Sequence, residues 1–159
     1  MIKVLIVSDS HGNIDVLENV IEKENDCSYI FHLGDHHTDL FEVSNDLSNK
    51  CIAKVKGNCD YENEKIDRCF ELGGMKIFMT HGHYYGVKMT LNSLFYKAQE
   101  EDANIALFGH THNQLLEEFG DITLFNPGTI GMKIPGERTY GILKIDEETG
   151  EYSLKHKYI

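Results

Sequence analysis

The amino-acid order of this 159-residue chain predicts an α/β fold in which two mixed β-sheets pack face to face, flanked by helices. Three observations predict it. Over the first half, short Val/Ile/Leu runs alternate with helix-patterned segments, the signature of parallel βαβ units. After residue 104 nearly every segment has strand character and is closed by hairpin turns. Seven metal-capable side chains stand just behind apolar runs, where the strands of an α/β sheet end and ligands gather.

Residues 2–7, Ile-Lys-Val-Leu-Ile-Val, read as a buried strand. Asn13 or Asp15 caps a helix whose apolar stripe is Val16, Leu17, Val20 and Ile21. Residues 29–33 form a second strand, 38–48 a short helix with Leu40, Phe41 and Leu47 inward, and 51–56 a third strand. The pattern then changes. Phe70–Leu72 and Met75–Met79 flank Gly73-Gly74 as a hairpin. A helix from about 87 to 101 presents Leu91, Leu94, Phe95 and Ala98. Strands follow at 105–108, 114–119, 122–126, 139–145 and 151–157, with Gly120-Asp121 and Glu148-Thr149-Gly150 as turns. This last series is expected to be antiparallel. No repeat, low-complexity stretch or linker divides the chain, so residues 1–159 read as one domain.

The formal net charge of −11 argues against an extended surface for polymeric nucleic acid. Acidic turns such as Asp146-Glu147-Glu148 serve solubility, and part of the charge can be matched by bound cations. No uncharged apolar run reaches the ~18 residues of a membrane span, and no membrane partner is expected. The first segment enters a motif-bearing strand without the cleavage site of a secretory leader. Cys27, Cys51, Cys59 and Cys69 form no C-x-x-C pair, which fits a reducing cytoplasm. A homo-oligomer is compatible with all of this.

The chemistry lies in the loops. Asp9 and His11 follow the first strand, Asp35 the second and Asn58 the third; His81 follows the hairpin, and His110 and His112 follow residues 105–108. Oxygen and imidazole donors of this kind suit Mn²⁺, Fe, Co, Ni or Zn²⁺ better than Cu(I) or an iron–sulfur cluster. In Asp9-Ser10-His11 and His110-Thr111-His112 the i, i+2 spacing sends both side chains to one side of an extended backbone. His32, inside a strand, is a packed histidine or one that supports a ligand. His36 and His37 either meet substrate or begin a solvent-facing helix. Tyr84 and Tyr85 line the pocket or pack at its rim. Lys133 and Arg138 flank the loop after Asn126-Pro127-Gly128-Thr129, where a cation could meet an anionic group, although exposed basic residues without a role are the favoured reading; His156 has no assigned role.

Asp9-Ser10-His11-Gly12-Asn13, Gly34-Asp35, Gly57-Asn58-Cys59-Asp60, Thr80-His81-Gly82-His83 and Gly109-His110-Thr111-His112 resemble, in order, the signature blocks of the calcineurin-like metallophosphoesterases. Asn126-Pro127-Gly128-Thr129 is similar to the C-terminal block of the small bacterial and archaeal phosphodiesterases of that superfamily. The resemblance implies a four-layer sandwich with two divalent metal ions. Mn²⁺ comes first, with Ni²⁺, Co²⁺, Fe²⁺ or Zn²⁺ as alternatives. Asp9, His11, Asp35 and His112 would hold one ion and Asp35, Asn58, His81 and His110 the other, with Asp35 bridging. It further implies a metal-dependent phosphoric ester hydrolase, in which a hydroxide bridging the metals attacks a small phosphodiester in line.

One position departs from the family pattern. Many members carry His after the motif Asn, where it serves the leaving group; here that residue is Cys59. A thiol with an ordinary pKa near ~8.5 is a poor substitute, so a phosphodiester is expected in preference to a monoester. Asp60 and His83 are the nearest replacements as proton donor or phosphate contact, and Asn58 also faces substrate. The alternative from another class is a metal-binding interaction scaffold with little or no turnover, resembling the retromer subunit of this fold.

Overall fold

A computed structural model describes residues 1–159. The elements run β1 (Ile2–Val7), α1 (Ile14–Lys23), β2 (Tyr29–His32), β3 (Cys51–Lys54), β4 (Asp67–Leu72), β5 (Met75–Thr80), α2 (Asn92–Glu100), β6 (Ile105–Leu107), β7 (Leu115–Phe119), β8 (Ile122–Asn126), β9 (Thr139–Ile145) and β10 (Tyr152–Tyr158), with short 3₁₀ turns at His37–Phe41 and His83–Tyr85.

The first sheet has the order β10-β9-β1-β2-β3 and the second β4-β5-β6-β8-β7. Strands β1, β2 and β3 are parallel, as are β5, β6 and β8; the other strands pair antiparallel. Period-two alternation divides the core into layers. Val4 and Ile6 of β1 face the second sheet, where they join Ile77, Met79, Ile105, Leu107 and Phe125. Leu5 and Val7 face outward onto Leu17, Val20 and Ile21 of α1. On the far side Phe78, Ala106 and Leu124 pack against Leu94 and Ala98 of α2. The layers are therefore helix, sheet, sheet, helix.

Four expectations are corrected. The strands after residue 104 are not a simple antiparallel series. Helix α2 is the crossover that makes β6 parallel to β5, and β8 passes inside β7 to pair parallel with β6. The segment 38–48 is helical only over His37–Phe41, and Phe41 is 69% exposed. Side-chain acceptors compete for its backbone: Asp46 takes the Ser48 N–H at 2.9 Å and Glu18 takes that of Ser44 at 2.6 Å. Asn13 stands at the start of α1 but caps nothing, because its amide turns back to the carbonyls of Ser10 and His11. Helix α2 also begins later than expected, at Asn92, behind a left-handed Gly86.

One buried carboxylate ties the first sheet to α1. Glu24, 4% exposed, accepts bonds from Lys3 at 2.9 Å, Tyr140 at 2.8 Å and Lys157 at 2.6 Å. Burial alone would raise its pKa, but the bonds from Lys157, Lys3 and Tyr140 outweigh it and lower the carboxyl from 4.5 to about 2. Glu24→Ala should lower stability in urea by about 2–3 kcal/mol, somewhat less than for a fully buried pair because Lys157 is half exposed. A depressed carboxylate contributes fully above its unfolded pKa. In the wild type this stabilisation should therefore fade as pH falls from 4.5 towards about 2, and the variant's unfolding midpoint should lack that part of the acid dependence.

Candidate metal centre

All seven predicted residues lie beyond the carboxyl ends of β1, β2, β3, β5 and β6, on the edge where the two sheets present their C-terminal turns together. The backbone there is unusual. Seven non-glycine residues have positive φ: Asp9 (54°), His11 (45°), Asp35 (59°), His36 (64°), Asp102 (54°), His110 (67°) and His112 (60°). Five of these are predicted ligands and a sixth adjoins one. Left-handed backbone costs a non-glycine residue of order 1–3 kcal/mol, and such strain gathers at functional sites. Here it turns each side chain back over the strand end. Glycine is required where loops touch: a Cβ on Gly57 would collide with the Asp35 carboxylate and its N–H, and one on Gly109 would collide with Ser8 Oγ.

The donor atoms converge. Asp9, His11, Asp35 and His112 form one group and Asp35, His81 and His110 another, the donor atoms of each lying within 4.8 Å of one another. Asp9 Oδ1 is 3.8 Å from His11 Nε2, 3.8 Å from His81 Nε2 and 3.1 Å from His112 Nε2. Asp35 Oδ2 is 3.6 Å from His11 Nε2 and 3.4 Å from His81 Nε2. Asn58 Oδ1 joins the second group, 3.1 Å from His81 Nε2.

The other atoms of these side chains are occupied in ways that aim the free ones. Asp9 Oδ2 accepts from Ser8 Oγ at 2.5 Å and from the His110 N–H at 3.1 Å. Asp35 Oδ1 accepts the Cys59 N–H at 2.9 Å. His81 Nδ1 lies 2.7 Å from the Leu33 carbonyl, to which it donates, leaving Nε2 as the inward donor atom. Asp9 Oδ1 and His11 Nε2 are buried and lack any hydrogen-bond partner. Orphaned buried acceptors are costly, and a divalent cation of oxygen and nitrogen preference would satisfy both. The residues thus fit such ions.

Electrostatics agree. Burial would raise the Asp9 carboxyl, but His11 and His112 outweigh it and hold it well below the carboxylate range. Asp35 is likewise lowered to about 2, against its burial, chiefly by His81. His11 is raised, first by Asp9; His81 is raised by Asp35 and Asp9 despite burial. His110 is pushed down to about 4 by burial and then by the charges of His81 and Lys88, and burial also lowers His83. Neutral imidazole is the ligand form, so His110 is prepared to coordinate at neutral pH.

The proton-donor expectations fare differently. Cys59 lies at the rim, its thiol raised by burial and the Asp35 charge, so it stays protonated. Asp60 is committed elsewhere. It is 6% exposed, and its two oxygens accept the N–H groups of Asp35 and Gly57 at 2.8 Å, His36 at 2.7 Å and His37 at 3.3 Å. With both oxygens so engaged it acts as a clamp on the loops that carry Asp35 and Asn58. His83 stands at the mouth, its ring 5.3 Å from His81 and 6.1 Å from His110, with Nδ1 buried and unpartnered. Tyr84 lies against His83 at 4.3 Å, whereas Tyr85 turns aside to donate to Asp67 at 2.5 Å. The His36 ring lies 5.1 Å from that of His11, tilted by 51°, but His37 is buried and faces no solvent. Arg138 is spent on the Gly131 carbonyl and Asn13 Oδ1, both at 3.2 Å.

His32 is the packed, supporting histidine that its place inside a strand suggests, whereas the contacts of Asn126, Thr129 and His156 escaped the sequence reading. His32 is buried, its Nδ1 accepting the Gly34 N–H at 3.1 Å and its Nε2 2.9 Å from Ser10 Oγ; burial holds its pKa down at about 3. Asn126 donates to the Gly109 carbonyl at 2.9 Å and Thr111 Oγ1 at 3.1 Å, while Thr129 Oγ1 donates to the Asp9 carbonyl at 2.9 Å. His156 lies 2.7 Å from the Asn126 carbonyl and stacks on Phe125. A polar residue at the end of an otherwise apolar strand, as at Asn126, was the available signal.

Fold and site together define an α/β sandwich of the metallophosphoesterase kind. The chain belongs to the calcineurin-like phosphoesterase superfamily, whose domain model matches residues 2–148. It is 32% identical over 148 residues to a probable metallophosphoesterase of Bacillus subtilis, YsnB, covering 91% of this chain and 85% of that protein. Against the phosphodiesterase MJ0936 of Methanocaldococcus jannaschii it is 30% identical over 169 residues, covering 94% and 96%. Among solved structures, a predicted phosphoesterase from Streptococcus pneumoniae superposes with a TM-score of 0.75 at 28% identity, covering 98% and 97%. Vps29 of Entamoeba histolytica shares the fold, with a TM-score of 0.78 at 19% identity over 99% of both chains.

Because Gly57 touches Asp35, Gly57→Ala should weaken metal binding about 10–100-fold, the range for disturbing a residue that orients ligands. Calorimetric titration with Mn²⁺ against an unchanged circular dichroism spectrum reads this; unaltered affinity would contradict the assigned packing.

Proposed function

We propose that the chain is a two-metal phosphodiesterase that hydrolyses a small phosphodiester. One observation carries the reading: two compact donor groups share a single residue, Asp35. The first would be held by Asp9, His11, Asp35 and His112, the second by Asp35, Asn58, His81 and His110. Two divalent cations in these positions, Mn²⁺ before Ni²⁺, Co²⁺, Fe²⁺ or Zn²⁺, would supply Lewis acidity towards the phosphoryl group and an activated water.

The protein's own residues do the remaining work. Asp60 holds the Asp35 and Asn58 loops in register through backbone N–H groups. His83, neutral and at the mouth, is placed to hydrogen-bond a phosphoryl oxygen. Cys59 keeps its proton but is too weak an acid to deliver it quickly to an alkoxide. That favours diesters whose leaving group departs without much protonation. Relatives named as phosphodiesterases support the same class. No helix is long and apolar enough to cross a membrane, and the four cysteines are free, in keeping with a reducing cytoplasm.

Metal analysis should find two ions per chain, and an aryl phosphodiester should turn over faster than the matching monoester with Mn²⁺, Ni²⁺ or Co²⁺. Asp35→Asn should remove activity while the fold persists. Bound metal without any hydrolysis would instead favour an interaction scaffold. Restoring an imidazole with Cys59→His should raise monoester turnover by about tenfold or more, within the range of general acid catalysis, and change diester turnover much less. An unchanged diester-to-monoester ratio would remove Cys59 from the account of specificity.

A further inference from the structure

The largest cavity of the molecule opens beside the metal centre. It has a volume of about 530 Å³ and runs between the 87–91 segment and the loop that follows β6. Thr111 belongs to its lining and sits between His110 and His112, so cavity and donor cluster are continuous along one loop. That loop is held in place: Thr111 Oγ1 accepts bonds from Asn126 Nδ2 at 3.1 Å and from the Asn113 N–H at 3.2 Å.

We infer that this cavity is the subsite for a nucleoside arm of the phosphodiester, with Lys88 pairing with the substrate's negative charge and Asn113 reading the edge of the base. The inference rests on the phosphodiesterase reading. Lys88 is the one charged residue of the lining and is exposed, with no ion-pair partner. It shares the lining with Thr111, the residue between His110 and His112. A cation there meets an anion bound at the donor cluster.

The rest of the lining matches a flat, amphipathic group. Leu91 and Leu115 give half-buried apolar walls, and Met89 stands 87% exposed at the rim, a pliant thioether suited to lie over a ring. The side chain of Asn113 makes no hydrogen bond within the protein, so its amide has donors and an acceptor free for a base edge. A volume of this size suits a nucleoside, since cavities of roughly 300–1,000 Å³ take ligands of that scale. A glycerol or short alkyl arm would leave both the apolar walls and the free amide unused.

The test compares three aryl esters on the metal-loaded protein: thymidine 5′-(4-nitrophenyl) phosphate, methyl 4-nitrophenyl phosphate and bis(4-nitrophenyl) phosphate. The nucleoside ester should exceed the methyl ester at least about tenfold in kcat/KM. Lys88→Ala and Asn113→Ala should each lower that value about tenfold for the nucleoside ester, and Asn113→Ala should leave the methyl ester within about threefold. Equal rates for nucleoside and methyl esters, or equal losses on both in Asn113→Ala, overturn the inference. A bis-aryl ester that alone is fast points to a general aromatic subsite and also overturns it. If no ester is hydrolysed, the phosphodiesterase reading fails by itself. The cavity is then judged by calorimetry with thymidine 5′-monophosphate. Binding weakened about tenfold in both variants supports the subsite, and no binding to the wild type overturns it.

Discussion

Two buried carboxylates, Asp9 and Asp35, stand with their free oxygens directed into one small volume, and the rest of the site is arranged around the resulting repulsion. Like charges at low dielectric need a compensating cation or must take up protons. Four imidazoles ring the pair, and two of them, His11 and His81, have pKa values raised by the carboxylates. The carboxylates thus favour the charged form of both rings. A divalent ion would replace the protons on these rings with a stronger and better-directed charge. The seven donors therefore form an electrostatic unit whose members cannot be judged separately.

The sandwich makes that unit possible. Parallel β1, β2 and β3 deliver their C-terminal turns from one sheet, and parallel β5 and β6 deliver theirs from the other. The inner core that presses the sheets together, from Val4 and Ile6 to Met79 and Phe125, sets the spacing between the two sets of turns. Backbone bonds join neighbouring turns within each set. The Asp9 N–H donates to the Gly34 carbonyl at 3.0 Å and the Gly109 N–H to the His81 carbonyl at 3.0 Å. The turn after β8 closes the ring, because Thr129 and the Gly131 N–H both hold the Asp9 carbonyl. Each ligand is positioned by a rigid strand on one side and a hydrogen-bonded loop on the other.

What could be read from the sequence follows from the range of the forces involved. The strands and α1 are written in local periodicity, and the ligand loops in polar residues and glycines placed behind those strands. Both kinds of signal lie within a few residues. The pairing of β6 with β8, across β7, depends on a crossover that no local pattern encodes, so an antiparallel series was expected there. Phe41 was placed inward because an apolar residue in a helical window usually is; the Asp46 and Glu18 side chains ended that helix early. Asp60 reads as a proton donor because it adjoins Cys59, two residues after Asn58. Only its three-dimensional neighbours reveal that four backbone N–H groups approach its oxygens. His156 could not have been found at all, since its partner Asn126 is thirty residues away in the chain.

Strain and metal binding belong to one balance. Five predicted ligands adopt left-handed backbone, each at a cost of order 1–3 kcal/mol. Asp9 Oδ1 and His11 Nε2 add the cost of orphaned buried atoms. None of this is repaid inside the donor cluster, so the core and clamps such as Asp60 must hold the turns in place beforehand. The same pre-positioning spares an incoming ion the ordering of five separate loops, which raises its affinity for the folded chain over the unfolded one. Cys59 has no share in this balance. Its backbone N–H supports Asp35 as any residue's would, and under the proposed function only its side chain would bear on proton delivery. Replacing an imidazole by a thiol there can therefore alter which esters are cleaved while the metal-binding frame stays intact, and the two properties are free to vary separately in this fold.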